Sequence, residues 1–265
     1  MNYLQSIILG ILQGVTEFLP VSSSGHLVLM RAVMNIKEIP VLFDVVLHVS
    51  TLAVIIIVFR KRIGDIFVSL WRAVTRKKRG DFQDINVKLF WLIIIATVCT
   101  AVVGYGVSKL EMETRTHLVS GLFLVTGAVL ILTRFAGGEK TYREIGVKHG
   151  IITGLAQGIG VFPGISRSGI TISAALFSGM TREEAGEFSF IISIPAIIGA
   201  LLLKLREGEE LLALVEPGVI IAGVAASFIV GFFSLLLLLR LIKGGKLFYF
   251  AFYLLPLGIL SLIFL

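Results

Sequence analysis

The stretch Gln13 to His26, "QGVTEFLPVSSSGH", interrupts a chain whose other long segments are apolar, and its reading decides the fold. It packs a glutamate, a proline, three serines and a histidine into fourteen residues. A charged side chain at the centre of a bilayer costs roughly 2.5–3.5 kcal/mol, so such groups are rare there and face a cavity with a task. Pro removes a backbone donor and Gly loosens the chain, so this segment cannot run as one clean helix. Broken backbone at membrane depth is tolerated only when buried in protein or lining a wet cavity. The stretch therefore reads at once as a helix break and as a site.

The surrounding chain supports a membrane setting. Of 265 residues, 56% are hydrophobic and 15% charged, with a mean hydropathy of +0.97; a soluble domain carries about 25% charged residues. Apolar runs near the length of a spanning helix cover Val41 to Phe59, Leu89 to Val107, Leu118 to Phe135, Phe188 to Leu203, Val219 to Leu239 and Leu247 to Leu265. The alternating ten-residue pattern of a membrane barrel is absent, so the expected class is an all-α polytopic membrane protein forming one membrane domain, 1–265. The single cysteine, Cys99, excludes an intramolecular disulfide. "MNYLQSIILG" has no basic n-region or small-residue cleavage site, and reads as a retained segment.

A net charge of +7 raises nucleic acid as a partner, but the basic residues cluster beside apolar runs, where positive-inside topology accounts for them and no nucleic acid is needed. The strongest cluster, "RKRIGDIFVSLWRAVTRKKRG" from Arg60 to Gly80, is expected to be a cytoplasmic loop. Gly137 to His149 and Lys243 to Lys246 follow on the same side, with Ser108 to His117 and Arg206 to Glu216 outside.

Comparing the chain with itself exposes a repeat. "QGVTEFLPVSSSG" from Gln13 aligns without a gap on "QGIGVFPGISRSG" from Gln157, with eight of thirteen positions matched, and "FDVVLH" from Phe43 echoes "FSFIIS" from Phe188. The expectation is two re-entrant helix–loop–helix hairpins, Tyr3 to Ile36 and Val147 to Thr181, each followed by three spans. Repeat one is then about 1–136 and repeat two about 147–265. An odd number of spans between hairpins inverts the second copy and brings the two broken loops face to face near the midplane.

Pooled, the loops offer Glu17, His26, Arg167, hydroxyls at Thr16, Ser22, Ser23, Ser24, Ser166, Ser168 and Thr171, and several glycines. Glycine lets backbone N–H groups approach a ligand, helix N-termini favour anions, and a guanidinium fork matches phosphate oxygens. This is a phosphate cradle. Ser23 becomes a nucleophile if Glu17 or His26 serves as its base. Other polar residues have plainer readings. Ser22 and Ser24 suit N-caps, and Pro20 and Pro163 helix breaks. Gln13 and Gln157 read as cross-braces between the hairpins. Asp44 and His48, four apart on one helix, satisfy each other, and Glu183, Glu184 and Glu187 solvate or cap a helix start.

At these motifs, "QGVTEFLPVSSSGH" and "PGISRSG", the chain resembles the undecaprenyl pyrophosphate phosphatases of the bacitracin-resistance type over nearly its whole length. The resemblance implies removal of the terminal phosphate of a polyprenyl pyrophosphate carrier at the outer face of the cytoplasmic membrane, recycling the carrier for peptidoglycan synthesis. It implies Ser23 as nucleophile, Glu17 and His26 in catalysis and Arg167 on the phosphoryl group. Gln13, Ser22, Ser24, Ser166, Ser168 and Thr171 then bind substrate. It further implies an activating divalent cation, Mg²⁺ or Ca²⁺, at Glu17; Gln13 stands where many relatives carry glutamate, which weakens a two-carboxylate metal site. Membrane lipids are expected neighbours, and a homo-oligomer is left open, as is His26 as the nucleophile. The competing class is a transporter or flippase of an anionic lipid or small anion, since inverted repeats with broken helices are a transporter architecture.

Overall fold

The computed structural model describes residues 1–36, 41–76, 84–108, 116–204 and 212–264. The expected external segments between residues 109 and 115, and between 205 and 211, lie outside them. Among the described residues the regular elements are helical: α1 (Tyr3–Phe18), α2 (Ser23–Val33), α3 (Val41–Val58), α4 (Arg60–Arg76), α5 (Ile85–Ser108), α6 (Thr116–Leu132), α7 (Val147–Ile159), α8 (Arg167–Phe177), α9 (Arg182–Lys204), α10 (Pro217–Lys243) and α11 (Ala251–Phe264). Among the described residues five segments are long and apolar enough to span a membrane, and α3 with α4 makes a sixth if that bent pair is one span. The chain is an all-α multi-pass membrane protein.

The two breaks have local causes. α1 starts on a capping box in which Asn2 Oδ1 accepts from the Gln5 amide at 2.9 Å and Gln5 Oε1 accepts from the Asn2 amide at 2.9 Å. It stops at Leu19 because Pro20 has no N–H to continue the ladder. Ser22 then takes φ 71° and caps α2. α7 ends at Gly160 before Pro163, Gly164 takes φ +95°, and Ser166 caps α8. Positive φ is natural for Gly164 and costly for Ser22, so the loop at Ser22 is held by its surroundings.

Small residues set the helix pairings. A Cβ added to Gly10 would stand 2.2 Å from the Gly223 carbonyl oxygen, and one on Gly14 2.7 Å from that of Ser227, so α1 lies backbone to backbone on α10. In the other half α7 lies on α5 in the same manner: a Cβ added to Gly154 would stand 2.5 Å from the Ala96 carbonyl oxygen, and one on Gly158 2.5 Å from the Val103 side chain. Lipid tails are as apolar as leucine, so helices associate through this close approach and the dispersion it allows. Gly14→Leu and Gly154→Leu are each expected to destabilise the folded protein by about 1–3 kcal/mol, the usual range for overpacking. A melt in detergent followed by size-exclusion recovery measures this, and Gly64→Ala, with open space around it on α4, should not lower the melt, since Ala suits a helix better than Gly.

The expected loop from Arg60 to Gly80 is instead helical as far as Arg76, turned 74° from α3. The reason is a three-residue-and-a-half rhythm: Ile66, Ser69 and Ala73 are buried against the bundle, while Phe67, Trp71 and Val74 are 63–71% exposed. α4 is tied to the start of α9 by Arg62 Nε donating to Glu187 Oε1 at 2.5 Å, and Tyr142 donates to the same oxygen at 3.2 Å. Glu187 is thus a half-buried tie among three segments, where solvation was expected; Glu183 does stand exposed, with Lys243 at 2.7 Å. Lys88, at the start of α5, donates to the Arg143 carbonyl at 2.9 Å.

These contacts gather α4, the start of α5, the segment 136–146, the start of α9 and the end of α10 at one strongly basic end. Hairpin α7–α8 begins there and returns there, through the Lys140–Met180 bridge. Hairpin α1–α2 enters from the opposite end, where Tyr3 donates to Glu216 at 3.2 Å beside the start of α10.

Candidate active site

The two breaks touch. Ser22 Oγ accepts from the Gly164 amide at 3.1 Å as well as from Gly25 at 3.4 Å, and Ser168 Oγ donates to the Phe18 carbonyl at 3.1 Å. Thr126 on α6 pins the second loop, donating to the Gly164 carbonyl at 3.0 Å and accepting from the Ser166 amide at 3.2 Å. Phe18 packs on Phe190 of α9, with ring centres 5.8 Å apart, which closes the core behind the loops. The breaks are therefore fixed at their junction.

At that junction Glu17, almost wholly buried, divides its two oxygens. Oε2 accepts from Ser23 Oγ at 2.7 Å and from Gln13 Nε2 at 3.0 Å, and lies 3.3 Å from His48 Nε2. Oε1 accepts from Arg167 Nη2. The nucleophile candidate, its base and the guanidinium thus meet across a separation of up to 150 residues in the chain. Arg167 Nη1 is buried without a hydrogen-bond partner, a donor left for a ligand. A cavity of about 210 Å³ opens here, lined by Glu17, Ser23, Ser24, His48, Ser166 and Arg167 and running along α9 from buried Ser193 to exposed Ala200. The starts of α2 and α8 both face it, which adds two positive helix ends to one guanidinium.

Ser24 and Ser166 line this cavity, and most of the other expected residues hold the loops and the charged group in place. Ser22 and Ser166 act as N-caps that hold the loops. Thr171 is fully buried, bonded to Ser189 of α9 and to the Arg167 carbonyl at 2.7 Å, so it braces Arg167 from behind. The two glutamines do not cross-brace the hairpins. Gln13 holds Glu17 on its own helix, whereas Gln157 donates to Thr100 and to the Ile192 carbonyl, both at 3.1 Å.

His26 is not brought to the cradle. Its Nδ1 donates to the Ser22 carbonyl at 2.8 Å, and its Nε2 pairs with the Tyr253 hydroxyl at 2.8 Å, the two rings stacked at 5.7 Å. Both ring nitrogens are engaged, Nδ1 with the start of its own helix and Nε2 in tying α2 to α11. The imidazole at Glu17 belongs to His48. Its expected partner Asp44 instead pairs with Arg31 at 2.5 Å, and the Asp44 backbone carbonyl accepts from His48 Nδ1 at 2.7 Å. The signal in the sequence is an ionisable residue in the middle of an apolar run, the same signal that marks Glu17.

The donor set does not fit a divalent cation held by the protein. No cluster of three or more His, Cys, Asp or Glu occurs among the described residues, and both oxygens of Glu17 are already taken by N–H and O–H donors. Mg²⁺ and Ca²⁺ call for several oxygen ligands, and Glu17 alone supplies at most two.

Residues 6–260 match the family described as bacitracin resistance protein BacA. A protein of Treponema denticola named undecaprenyl-diphosphatase is 47% identical over 259 residues, 98% of this chain and 96% of that one. Proteins of the same name from Borreliella burgdorferi, 41% identical over 260 residues (98% and 97%), and Methanosphaera stadtmanae, 40% over 273 residues (99% and 98%), align over the same extent. With the family match covering both broken hairpins and all the spans between them, the chain belongs to the BacA bacitracin resistance family.

Proposed function

We propose that this protein is a membrane phosphatase that removes the terminal phosphate of undecaprenyl, or a similar polyprenyl, pyrophosphate. The observation that carries the reading is the single hydrogen-bonded line Ser23–Glu17–Arg167 across the two breaks, opening into a cavity too small for the prenyl tail. Ser23 Oγ attacks the terminal phosphorus as its proton passes to Glu17. The new Ser–O–P bond forms as the anhydride P–O bond breaks, and the lipid monophosphate leaves with the electron pair. Water then attacks the phosphoserine, losing a proton to solvent, while Glu17 returns its proton to Ser23. Arg167 Nη1 and the two helix N-termini neutralise the phosphoryl oxygens throughout, which is where most of the rate of phosphoryl transfer arises. A divalent cation, in this reading, comes with the oxygens of the pyrophosphate.

The hairpins, entering from opposite ends, and the exchange of partners between α1 on α10 and α7 on α5 support two inverted repeats, about 1–136 and 147–265. The gathering of basic residues at one end supports a cytoplasmic location for that end. The course of the cavity away from it, toward Ala200, supports an opening to the outer face of the cytoplasmic membrane, where the tail of the lipid stays in the bilayer. α4, with aromatic and basic side chains on separate faces, suits a helix lying on the inner surface. In a Cys99→Ala background, an impermeant thiol reagent added to intact cells should label Ala213→Cys and spare Arg72→Cys and Glu139→Cys; the opposite pattern would invert the orientation.

Phosphate release from polyprenyl pyrophosphate by detergent-solubilised protein tests the activity directly. Flux of an anionic lipid in sealed liposomes without phosphate release would favour the transport reading instead.

A further inference from the structure

The catalytic carboxylate sits under opposing pulls. Arg167, reaching from α8, draws Oε1 toward the second hairpin, yet a base for Ser23 must keep Oε2 aimed at the serine oxygen. Gln13 holds Oε2 from one turn earlier on the same helix, at 3.0 Å. The other hold comes from His48, in the middle of α3, a span outside both broken hairpins. His48 Nδ1 faces a backbone carbonyl at 2.7 Å, and a carbonyl only accepts, so the proton is on Nδ1 and the ring is locked in plane by it. Nε2 then lies 3.3 Å from Glu17 Oε2, an ion-pair distance, and a ring nitrogen this close to a carboxylate is favourable only when it carries a proton. The groups facing this ring are Glu17 on α1, Arg167 on α8 and Asp44 on α3, with Asp44 itself held by Arg31 of α2.

We infer that His48 is a positioning residue for the phosphatase reaction: its imidazole donates to Glu17 and keeps the carboxylate turned toward Ser23 when Arg167 engages the phosphate. Without it, Glu17 is held on one side by Arg167 and on the other by Gln13 and by Ser23 itself, whose bond is given up as the serine attacks, and the carboxylate rotates with the arginine as that residue moves onto substrate. The inference rests on the reading of Ser23 and Glu17 as nucleophile and base. It assigns His48 a task that no contact with the leaving lipid is needed to perform.

The test compares His48→Ala, His48→Gln and His48→Leu in proteoliposomes, with kcat and KM for release of phosphate from polyprenyl pyrophosphate. Removing a residue that orients a catalytic group costs about 10- to 100-fold in activity. The expected result is a fall of that size in kcat for Ala and Leu with KM within about threefold. Gln, whose amide N–H reaches as a donor, should recover most of the loss. An equal fall in Gln and Ala, a change confined to KM, or kcat unchanged in Ala would each overturn the inference. If the Ala variant fails to fold, Gln against Leu decides it on the same readout, Leu being the variant of similar bulk without a donor. Ser23→Ala, run alongside, keeps the two readings separate: activity surviving that change defeats the proposed chemistry, whereas activity lost there but intact in every His48 variant defeats this inference alone.

Discussion

Ser23→Ala and Glu17→Gln are each expected to reduce phosphate release by on the order of 10³-fold or more, and the double variant to be little worse than either, because a nucleophile and its base act as one unit. The 2.7 Å bond between Ser23 Oγ and Glu17 Oε2 is the physical basis. Remove the hydroxyl and there is no oxygen to form the bond to phosphorus. Remove the carboxylate charge and the serine proton has no acceptor, since both nitrogens of His26 are committed to Ser22 and Tyr253. Ser23→Ala leaves Glu17 with Gln13, His48 and Arg167 as partners, so the protein should elute and melt as the parent does. Multiplicative losses in the double variant would mean that the two residues serve different steps, and near-normal release by Ser23→Ala would remove the serine from the chemistry.

The second large effect is expected at Arg167. One of its terminal nitrogens holds Glu17 and the other is buried with no partner, so a single planar group serves base and substrate together. Lysine offers a point charge and can occupy one of these positions, not both at fixed geometry. Arg167→Lys and Arg167→Ala are both expected to lower kcat by about 10²-fold or more, the size of loss on removing one placed charge-stabilising donor. Both proteins should stay folded, since Gln13 and Ser23 continue to donate to Glu17 and His48 stays within 3.3 Å of it. If lysine restored near-parental turnover, Arg167 would be a structural counter-ion; if alanine prevented folding, its main task would be to neutralise a buried carboxylate.

Much of this arrangement was legible because lipid is an intolerant solvent. Glu17, Ser23 and Arg167 stood out as polar residues where apolar ones are required, and their flanking Pro20, Pro163 and glycines announced breaks that only a cavity tolerates. His48 carried the same mark, but its spacing from Asp44 suggested a local pair. A four-residue spacing says that two side chains share a helix face and does not say which third helix that face meets. α4 looks like a loop in the sequence because its dense charge masks the helical rhythm of Ile66, Ser69 and Ala73.

By itself, then, the sequence determined the class, the positions of the spans, the two breaks and the residue types in the cradle, because each follows from the cost of burying a polar or unpaired group in hydrocarbon. Tertiary structure alone decided which imidazole serves the carboxylate. His26 turns away to Tyr253, 227 residues distant, and His48 turns in because α3 packs between α9 and α10 with that face toward α1. It likewise decided that Gln13 braces Glu17 on its own helix, whereas Gln157 reaches Thr100 of α5 and Ile192 of α9. The physical reason is the same in each case: helical periodicity fixes the direction of a side chain relative to its own axis, whereas the rotation of that axis is set by where small residues such as Gly10, Gly14 and Gly154 let two backbones close on each other.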